Sequence, residues 1–230
     1  MLKLSIIIPV YNEEKTIANI IDRVISVKLP LNMEREIVIV DDGSKDRTKE
    51  ILRVYQHHPL IRIFHQENYG KTTALLSGIA RATGDILLIQ DADLEYDPAQ
   101  YPLLLAPILE KKSDVVYGSR FLGSIQKMAF INRLANIISN IALRLLYRVN
   151  LTDVNTCFKV FRKGIVQDLN ICSKHFAFET EVTVKLMKRG IKIMEVPIDY
   201  AARTRWEGKK INWLHALEMF WPIIKYRFMD

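Results

Sequence analysis

Three carboxylates, Asp91, Asp93 and Glu95, alternate along the chain directly after the apolar run Ile86–Gln90. Like charges this close repel one another and raise each other's pKa unless a cation compensates them. A hard divalent ion such as Mg2+ or Mn2+ does so and prefers oxygen ligands. Magnesium typically takes one or two carboxylates and completes its shell with substrate phosphate and water, so the implied ligand is a diphosphate. A solvated acidic turn uses the same residue types, and Asp97 before Pro98 reads as such a cap. A second group gathers Tyr11 and the pair Asp41-Asp42. A carboxylate there can accept hydrogen bonds from ribose hydroxyls or a base N–H, and the tyrosine ring can stack on a base. Ser44, in the turn Asp41-Asp42-Gly43-Ser44, reads as a helix cap rather than a ligand. Lys71, after Tyr69-Gly70, either touches phosphate or caps a helix.

Charge separates the two halves of the 230 residues. Residues 1–120 hold 15 Lys and Arg against 17 Asp and Glu, while residues 121–230 hold 18 against 9, giving +7 in all. The second half is therefore expected to meet something anionic: a phosphate, an anionic membrane or nucleic acid. A nucleic-acid binder has no evident need for the acidic cluster, which disfavours that partner. A phosphate monoester acceptor is already largely ionised at neutral pH, with a second pKa near ~6. It needs cations to position it rather than a strong base, and Arg can grip two phosphate oxygens. Arg120, after Gly118-Ser119, is the leading candidate. Arg144, Arg148 and Lys111-Lys112 read as solvated. A hydroxyl acceptor would instead require a base. Asp153, Glu179 and Glu181 are the candidates, although Asp153 also fits an Asx turn. Glu179 and Glu181 fall on different faces of one helix, so at most one faces a site. His57, His58 and His175 lack metal-ligand spacing.

These residues need a frame. Leu4–Ile8, Glu36–Val40, Ile61–Phe64, Ile86–Gln90 and Val115–Gly118 are short apolar, β-branched runs of the kind found in buried parallel strands. Helical patterns lie between them: Asn12 capping a helix through Ile25, then Lys45–Tyr55, Thr72–Arg81 and Pro98 to about Lys111. Such β-α alternation implies a mostly parallel α/β sheet with helices on both faces, and ligands then bind beyond the carboxyl ends of the strands. No Gly-rich phosphate loop follows the first strand, which argues against dinucleotide-binding and P-loop enzymes. Later come a long helix over Met128–Val149, a short strand at Phe158–Phe161, a helix at Phe178–Arg189 and a strand at Lys192–Tyr200. Pro197 favours an edge or a strand end there. A basic loop, Ala201–Lys210, precedes a last helix, Ile211–Phe228, containing Pro222. Polar residues in the long helix argue against a membrane span. The last helix, with Trp213 and Trp221 between cationic ends, suits either a membrane interface or packing on the core. Cys157 and Cys172 cannot supply a disulfide framework, and no secretion signal is evident, so reduced thiols in a cytoplasmic protein are expected. One continuous domain is expected over residues 1–230.

The segments IIIPVYNEE, VIVDDGSKDRT and DADLE, in this order and spacing, resemble the family-2 glycosyltransferases of the GT-A type. Gly118-Ser119-Arg120, Asn132-Arg133 and the tail from Arg203 through Trp206 to Lys210 are similar to the polyprenyl-phosphate glycosyltransferases, including dolichyl-phosphate mannose synthases. The resemblance implies inverting transfer of a hexose, mannose or glucose, from a GDP- or UDP-linked nucleotide-diphosphate sugar to a polyprenyl phosphate, with Mg2+ or Mn2+ as cofactor. It implies that residues 1–120 bind the nucleotide sugar and residues 121–230 the acceptor. Pro9, Tyr11, Glu13, Val40, Asp42, Lys71, Asp91, Ala92 and Asp93 would bind the nucleotide sugar. Asp91, Asp93 and Glu95 would hold the metal, and Asp91, Asp93 and Arg120 would act in catalysis. Arg120, Arg133, Arg203 and Lys209, or Lys210 in its place, would face the acceptor phosphate. Many mannose synthases have Gln where this chain has Glu95. The alternative within the family is a sugar-hydroxyl acceptor in cell-surface polysaccharide synthesis. A polyprenyl acceptor implies work at the cytoplasmic face of a membrane, through the surface itself or a membrane-anchoring partner subunit.

Overall fold

The computed structural model describes residues 1–173, 177–203 and 213–229. The expected strands form, several of them longer than the apolar runs alone suggest. They are β1 (Lys3–Val10), β2 (Glu34–Asp42), β3 (Ile61–Gln66), β4 (Ile86–Ile89) and β5 (Val115–Ser119). Between them lie α1 (Ile17–Ser26), α2 (Thr48–Val54), α3 (Lys71–Arg81) and α4 (Tyr101–Leu109), the last preceded by a short 3-10 turn at Pro98–Gln100. The remainder comprises β6 (Ile125–Gln126), α5 (Phe130–Tyr147), β7 (Lys159–Arg162), α6 (Lys163–Gln167), α7 (Phe178–Lys188), β8 (Ile193–Pro197), β9 (Tyr200–Ala201) and α8 (Trp213–Phe228). The seven-stranded sheet runs β3-β2-β1-β4-β7-β5-β8, while β6 and β9 pair separately. Pro197 ends β8, an edge strand, where its missing N–H breaks no ladder.

Strand register decides what meets at the carboxyl edge. β1 pairs in parallel with β2, placing Pro9 beside Val40 and Val10 beside Asp41, and with β4, placing Ile7 beside Ile89. The segments after β1, β2 and β4 therefore leave the sheet side by side. β7 is antiparallel to both β4 and β5. Its amino end consequently lies at that same edge, and the preceding loop brings Asp153, Asn155 and Cys157 there. Behind the sheet, α3 lies close on β1: a Cβ on Gly78 would fall 2.5 Å from Ile7 Cγ2. At the opposite edge, buried Glu36 accepts hydrogen bonds from Ser5 Oγ and from the N–H and Oγ1 of Thr83.

Two local expectations are corrected. Asn12 does not cap the first helix, which begins at Ile17. Asn12 instead takes a left-handed φ of 50°, accepts from the Lys45 N–H and donates its own N–H to Ser44 Oγ. Ser44 likewise caps nothing, because α2 starts at Thr48, whose N–H is taken by Asp46. Asn12 and Ser44 lock two site loops together in place of the expected caps.

One large core fills the sheet–helix interfaces. A smaller one joins α5, α7 and α8 through Leu143, Val154, Val184, Ile223 and Tyr226. Glu181 is fully buried beside it and accepts from the N–H groups of Cys172 and Ser173 and from Tyr226 Oη, so its role is structural. Both cysteines are free, Cys157 buried and Cys172 exposed. α5 turns Asn136, Ser139 and Leu143 inward and leaves Phe130, Ile131, Ile138, Ile141 and Leu145 exposed. Among the described residues no helix is long and apolar enough to cross a membrane.

Candidate active site

The segment after β4 carries the acidic cluster. Asp91 and Asp93 both line a cavity at the carboxyl edge. Between them and Glu95 the backbone turns through Leu94 at φ 62°, a left-handed conformation that β-carbon crowding disfavours in a leucine. Lys71, the first residue of α3, bridges two carboxylates: its Nζ lies 2.9 Å from Asp91 Oδ1 and 2.9 Å from Glu179 Oε1. Burial opposes the charge on Lys71, but Asp91 and Glu179 outweigh it and push its pKa up. Lys71 thus forms ion pairs inside the site. Arg203 performs a similar service for Asp93. Its guanidinium grips Glu13 at 2.9 and 3.1 Å and reaches Asp93 at 3.3 Å. Asp93 nevertheless has its pKa pushed up, first by burial and then by the charges of Asp91 and Glu95, which Arg203 only partly offsets.

Glu95 is buried, lines the same cavity and is held by hydrogen bonds from the chain itself. Tyr200 Oη donates to its Oε2, and the Arg203 N–H donates to its Oε1 at 2.7 Å. The expected third metal ligand thus also ties the acidic turn to β9. Among the described residues no three His, Cys, Asp or Glu side chains form a complete metal cage. Hard carboxylate oxygens with excess negative charge, lining one cavity from Asp91, Asp93 and Glu95, do fit a divalent ion whose remaining positions are filled by phosphate and water.

Arg120 lines the same cavity. Asp153, fully buried, accepts from Arg120 Nε and Nη2 at 2.7 Å each and from its backbone N–H at 2.9 Å. Asn136 of α5 accepts from the same Nη2 at 3.1 Å, and the guanidinium lies 5.1 Å from the Tyr200 ring centroid. The loop carrying Asp153 is held by Glu195, which accepts from the Thr152 and Asp153 N–H groups, and by Asn140. Asp153 is therefore the counter-ion of Arg120. The Cys157 thiol, which also lines the cavity, has its pKa pushed up by burial and then by the charge of Asp91, and stays protonated.

The remaining expected residues fall in three places. Pro9, Val40 and Ala92 are buried at the strand ends, and Tyr11 is half-buried beside them. Asp42 gives its oxygens to Gln66 Nε2 and to the N–H groups of Tyr69 and Gly70, shaping the loop before α3. Its neighbour Asp41 pairs with His65 at 2.9 Å. Arg133 is exposed on α5 and does not line the cavity, whereas Asn132, Asn136 and Ser139 of that helix do. Lys209, Lys210 and His175 lie outside the described residues. Sequence reasoning missed Tyr200 and Asn136. For Asn136 a signal existed: it is a polar residue on the face of α5 that turns inward.

A family model described as glycosyl transferase family 2 matches residues 5–169. Dolichol-phosphate mannosyltransferase of Pyrococcus furiosus is 31% identical over 90% of this chain and 59% of its own length. Undecaprenyl-phosphate 4-deoxy-4-formamido-L-arabinose transferase of Edwardsiella ictaluri is 28% identical over 89% of this chain and 62% of its own. The chain thus spans about three fifths of the length of these curated relatives. Glucosyl-3-phosphoglycerate synthase of Mycobacterium tuberculosis, solved with Mn2+, UDP and glucosyl-3-phosphoglycerate, superimposes with a TM-score of 0.77 at 18% identity. The match covers 100% of this chain and 81% of that one. The mostly parallel α/β architecture expected of the GT-A type is the one found.

Proposed function

The chain belongs to glycosyl transferase family 2, and from that premise we propose that it moves a hexose from a nucleotide-diphosphate sugar to a polyprenyl phosphate, assisted by Mg2+ or Mn2+. The observation that carries the reading is a single cavity lined both by the carboxylates of Asp91, Asp93 and Glu95 and by the fixed guanidinium of Arg120. The first half of the chain supplies the donor side. Pro9, Tyr11, Val40 and Ala92 line the place for the nucleoside at the ends of β1, β2 and β4, with Glu13 and Asp42 holding the surrounding loops. Asp91 and Asp93 would hold the divalent ion, with Glu95 fixing their turn. The ion, when bound, neutralises charge that grows on the departing diphosphate.

The chain's own residues do the rest. Lys71 limits repulsion between Asp91 and Glu179, and Arg203 does the same for Glu13 and Asp93, so the acidic wall stays ordered without unfolding itself. Arg120 presents a fixed cation to the acceptor phosphate. Asp153 holds its Nε and Nη2, leaving Nη1 without a hydrogen bond among the described residues. A phosphate acceptor needs no base, and Asp153 is already committed to Arg120. Displacement by that phosphate at the anomeric carbon inverts its configuration. Arg133 and Lys209 would join Arg120 as the phosphate approaches from the side of α5.

The exposed apolar side chains of α5 support docking at the membrane surface that holds such an acceptor, with Arg133, Arg144 and Arg148 toward anionic headgroups. Incubation with labelled nucleotide sugars, Mn2+ and a short-chain polyprenyl phosphate tests the reading. A lipid-extractable product supports it. Label found only in soluble or polysaccharide product favours a hydroxyl acceptor.

A further inference from the structure

Glu179 is the second carboxylate on Lys71, and the proposed chemistry gives it no task. It sits in the first turn of α7, 4% exposed, and lines the same cavity as Asp91 and Arg120. Its Oε1 accepts from Lys71, but its Oε2 is buried and has no hydrogen-bond partner among the described residues. Native structures rarely leave a buried carboxylate oxygen without a donor, because losing hydration there is costly. Asn155 Oδ1, from another residue lining the cavity, is a second buried acceptor in the same condition.

These two atoms define the chemistry of what fits beside them in the cavity. Both accept, so the missing partner donates. A phosphate or diphosphate offers only acceptor oxygens at neutral pH and is repelled by the Glu179 charge. A sugar hydroxyl donates. The Lys71 ammonium, in contact with both carboxylates, keeps Glu179 beside Asp91, at the end of the cavity where the diphosphate would be held. The nearest hydroxyls are then those of the hexose attached to that diphosphate.

We propose that Glu179 is the specificity-determining residue for the donor sugar, its Oε2 receiving a hydrogen bond from one ring hydroxyl of the hexose, with Asn155 Oδ1 receiving a second. This rests on the glycosyltransferase reading above. Lys71 then has two tasks: it screens the two carboxylates from each other and fixes the orientation of Glu179. A hydroxyl bound by a buried carboxylate is discriminated strongly, since the analogue lacking it leaves the charge unpaired.

The test measures binding, not turnover. With Mn2+ present, the wild-type chain is titrated with GDP, UDP, GDP-mannose and UDP-glucose, then with the 2-, 3-, 4- and 6-deoxy forms of whichever nucleotide sugar binds. The same series is run on Glu179→Gln. Removal of one particular hydroxyl is expected to weaken binding to wild type on the order of 10- to 100-fold. That penalty should shrink several-fold in Glu179→Gln, while the nucleoside diphosphate alone binds as before. An unchanged deoxy penalty in the variant, or equal weakening of nucleotide and nucleotide sugar, overturns the assignment and leaves the proposed function standing. If wild type binds neither nucleotides nor nucleotide sugars, the proposed function falls and this assignment with it. Should Glu179→Gln not fold, Glu179→Asp keeps the charge near Lys71 while withdrawing it from the sugar. The same readout applies to it.

Discussion

Replacing Arg120 by alanine exposes how the acceptor wall is built. Arg120 is 6% exposed and Asp153 is fully buried. The substitution removes both side-chain contacts of 2.7 Å and leaves Asp153 with the backbone N–H of residue 120 as its remaining donor from that residue. Breaking a buried pair from one side typically costs about 3–5 kcal/mol, because the surviving charge is left in a poor solvent. The retained N–H contact points to the lower end, about 3 kcal/mol. For a chain of this size that lowers the melting temperature by roughly 6–12 °C. Arg120→Met combined with Asp153→Asn removes the charge along with its partner and is expected to recover at least half of that loss. Urea unfolding followed by circular dichroism measures both. A loss under about 1 kcal/mol in Arg120→Ala, or no recovery in the double variant, would refute the pairing as the organising contact of this wall. Arg120→Lys keeps a charge but loses the fork that holds Asp153. Its KM for a short-chain polyprenyl phosphate should rise while nucleotide affinity stays the same.

Three further outcomes follow from other parts of the fold. Burial opposes ionisation of Glu36, but hydrogen bonds from Ser5, Thr83 and Lys3 prevail and bring its pKa down to about 2. Its unfolded value is near ~4.3, so this contribution, up to about 3 kcal/mol, is present above that pH and is lost as pH falls toward 2. Glu36→Gln should flatten stability against pH between 5 and 3; an unchanged slope would contradict it. Lys159, buried with its Nζ on Val154 O and 3.6 Å from the Tyr117 ring centroid, has its pKa lowered by burial to about 7, against the pull of Glu179, Asp153 and Cys157. Between pH 7 and 10 the unfolded chain binds more protons at this residue, so stability rises with pH by at most about 1.4 kcal/mol per unit, and Lys159→Met should abolish that rise. Finally, Ile138→Ser with Ile141→Ser on the exposed face of α5 should weaken co-sedimentation with vesicles of phosphatidylglycerol and phosphatidylcholine without lowering the melting temperature. Unchanged vesicle binding would remove α5 from the docking surface.

The strand ends that build the donor side were legible because Leu4–Ile8, Glu36–Val40 and Ile86–Gln90 are continuous apolar runs, and parallel strands put their carboxyl ends together. The direction of β7 was not. Four residues carry no mark of polarity, yet its antiparallel course is what brings Asp153 and Asn155 into the cavity. Pairings across long separations were equally hidden. Arg203 grips Glu13 from 190 residues away, and Tyr200 reaches Glu95 across 105. The burial of Lys159 was hidden too: β7 is buried on both faces and the lysine is wholly buried. Asn12 has the residue type of a helix cap. The loop-to-loop contact with Ser44 and Lys45 outcompeted that local preference.

The central claim is that Asp91 and Asp93 are adjacent because a divalent ion joins them to a nucleoside diphosphate. Calorimetric titration of the chain with GDP and UDP, in MnCl2 and again in EDTA, tests it directly, with Asp93→Asn as the paired sample. Binding is expected in Mn2+ and is expected to collapse in EDTA and in Asp93→Asn, while that variant melts no lower than wild type because it relieves a crowded charge. Equal nucleotide affinity with and without the metal, or undiminished affinity in Asp93→Asn, would contradict it.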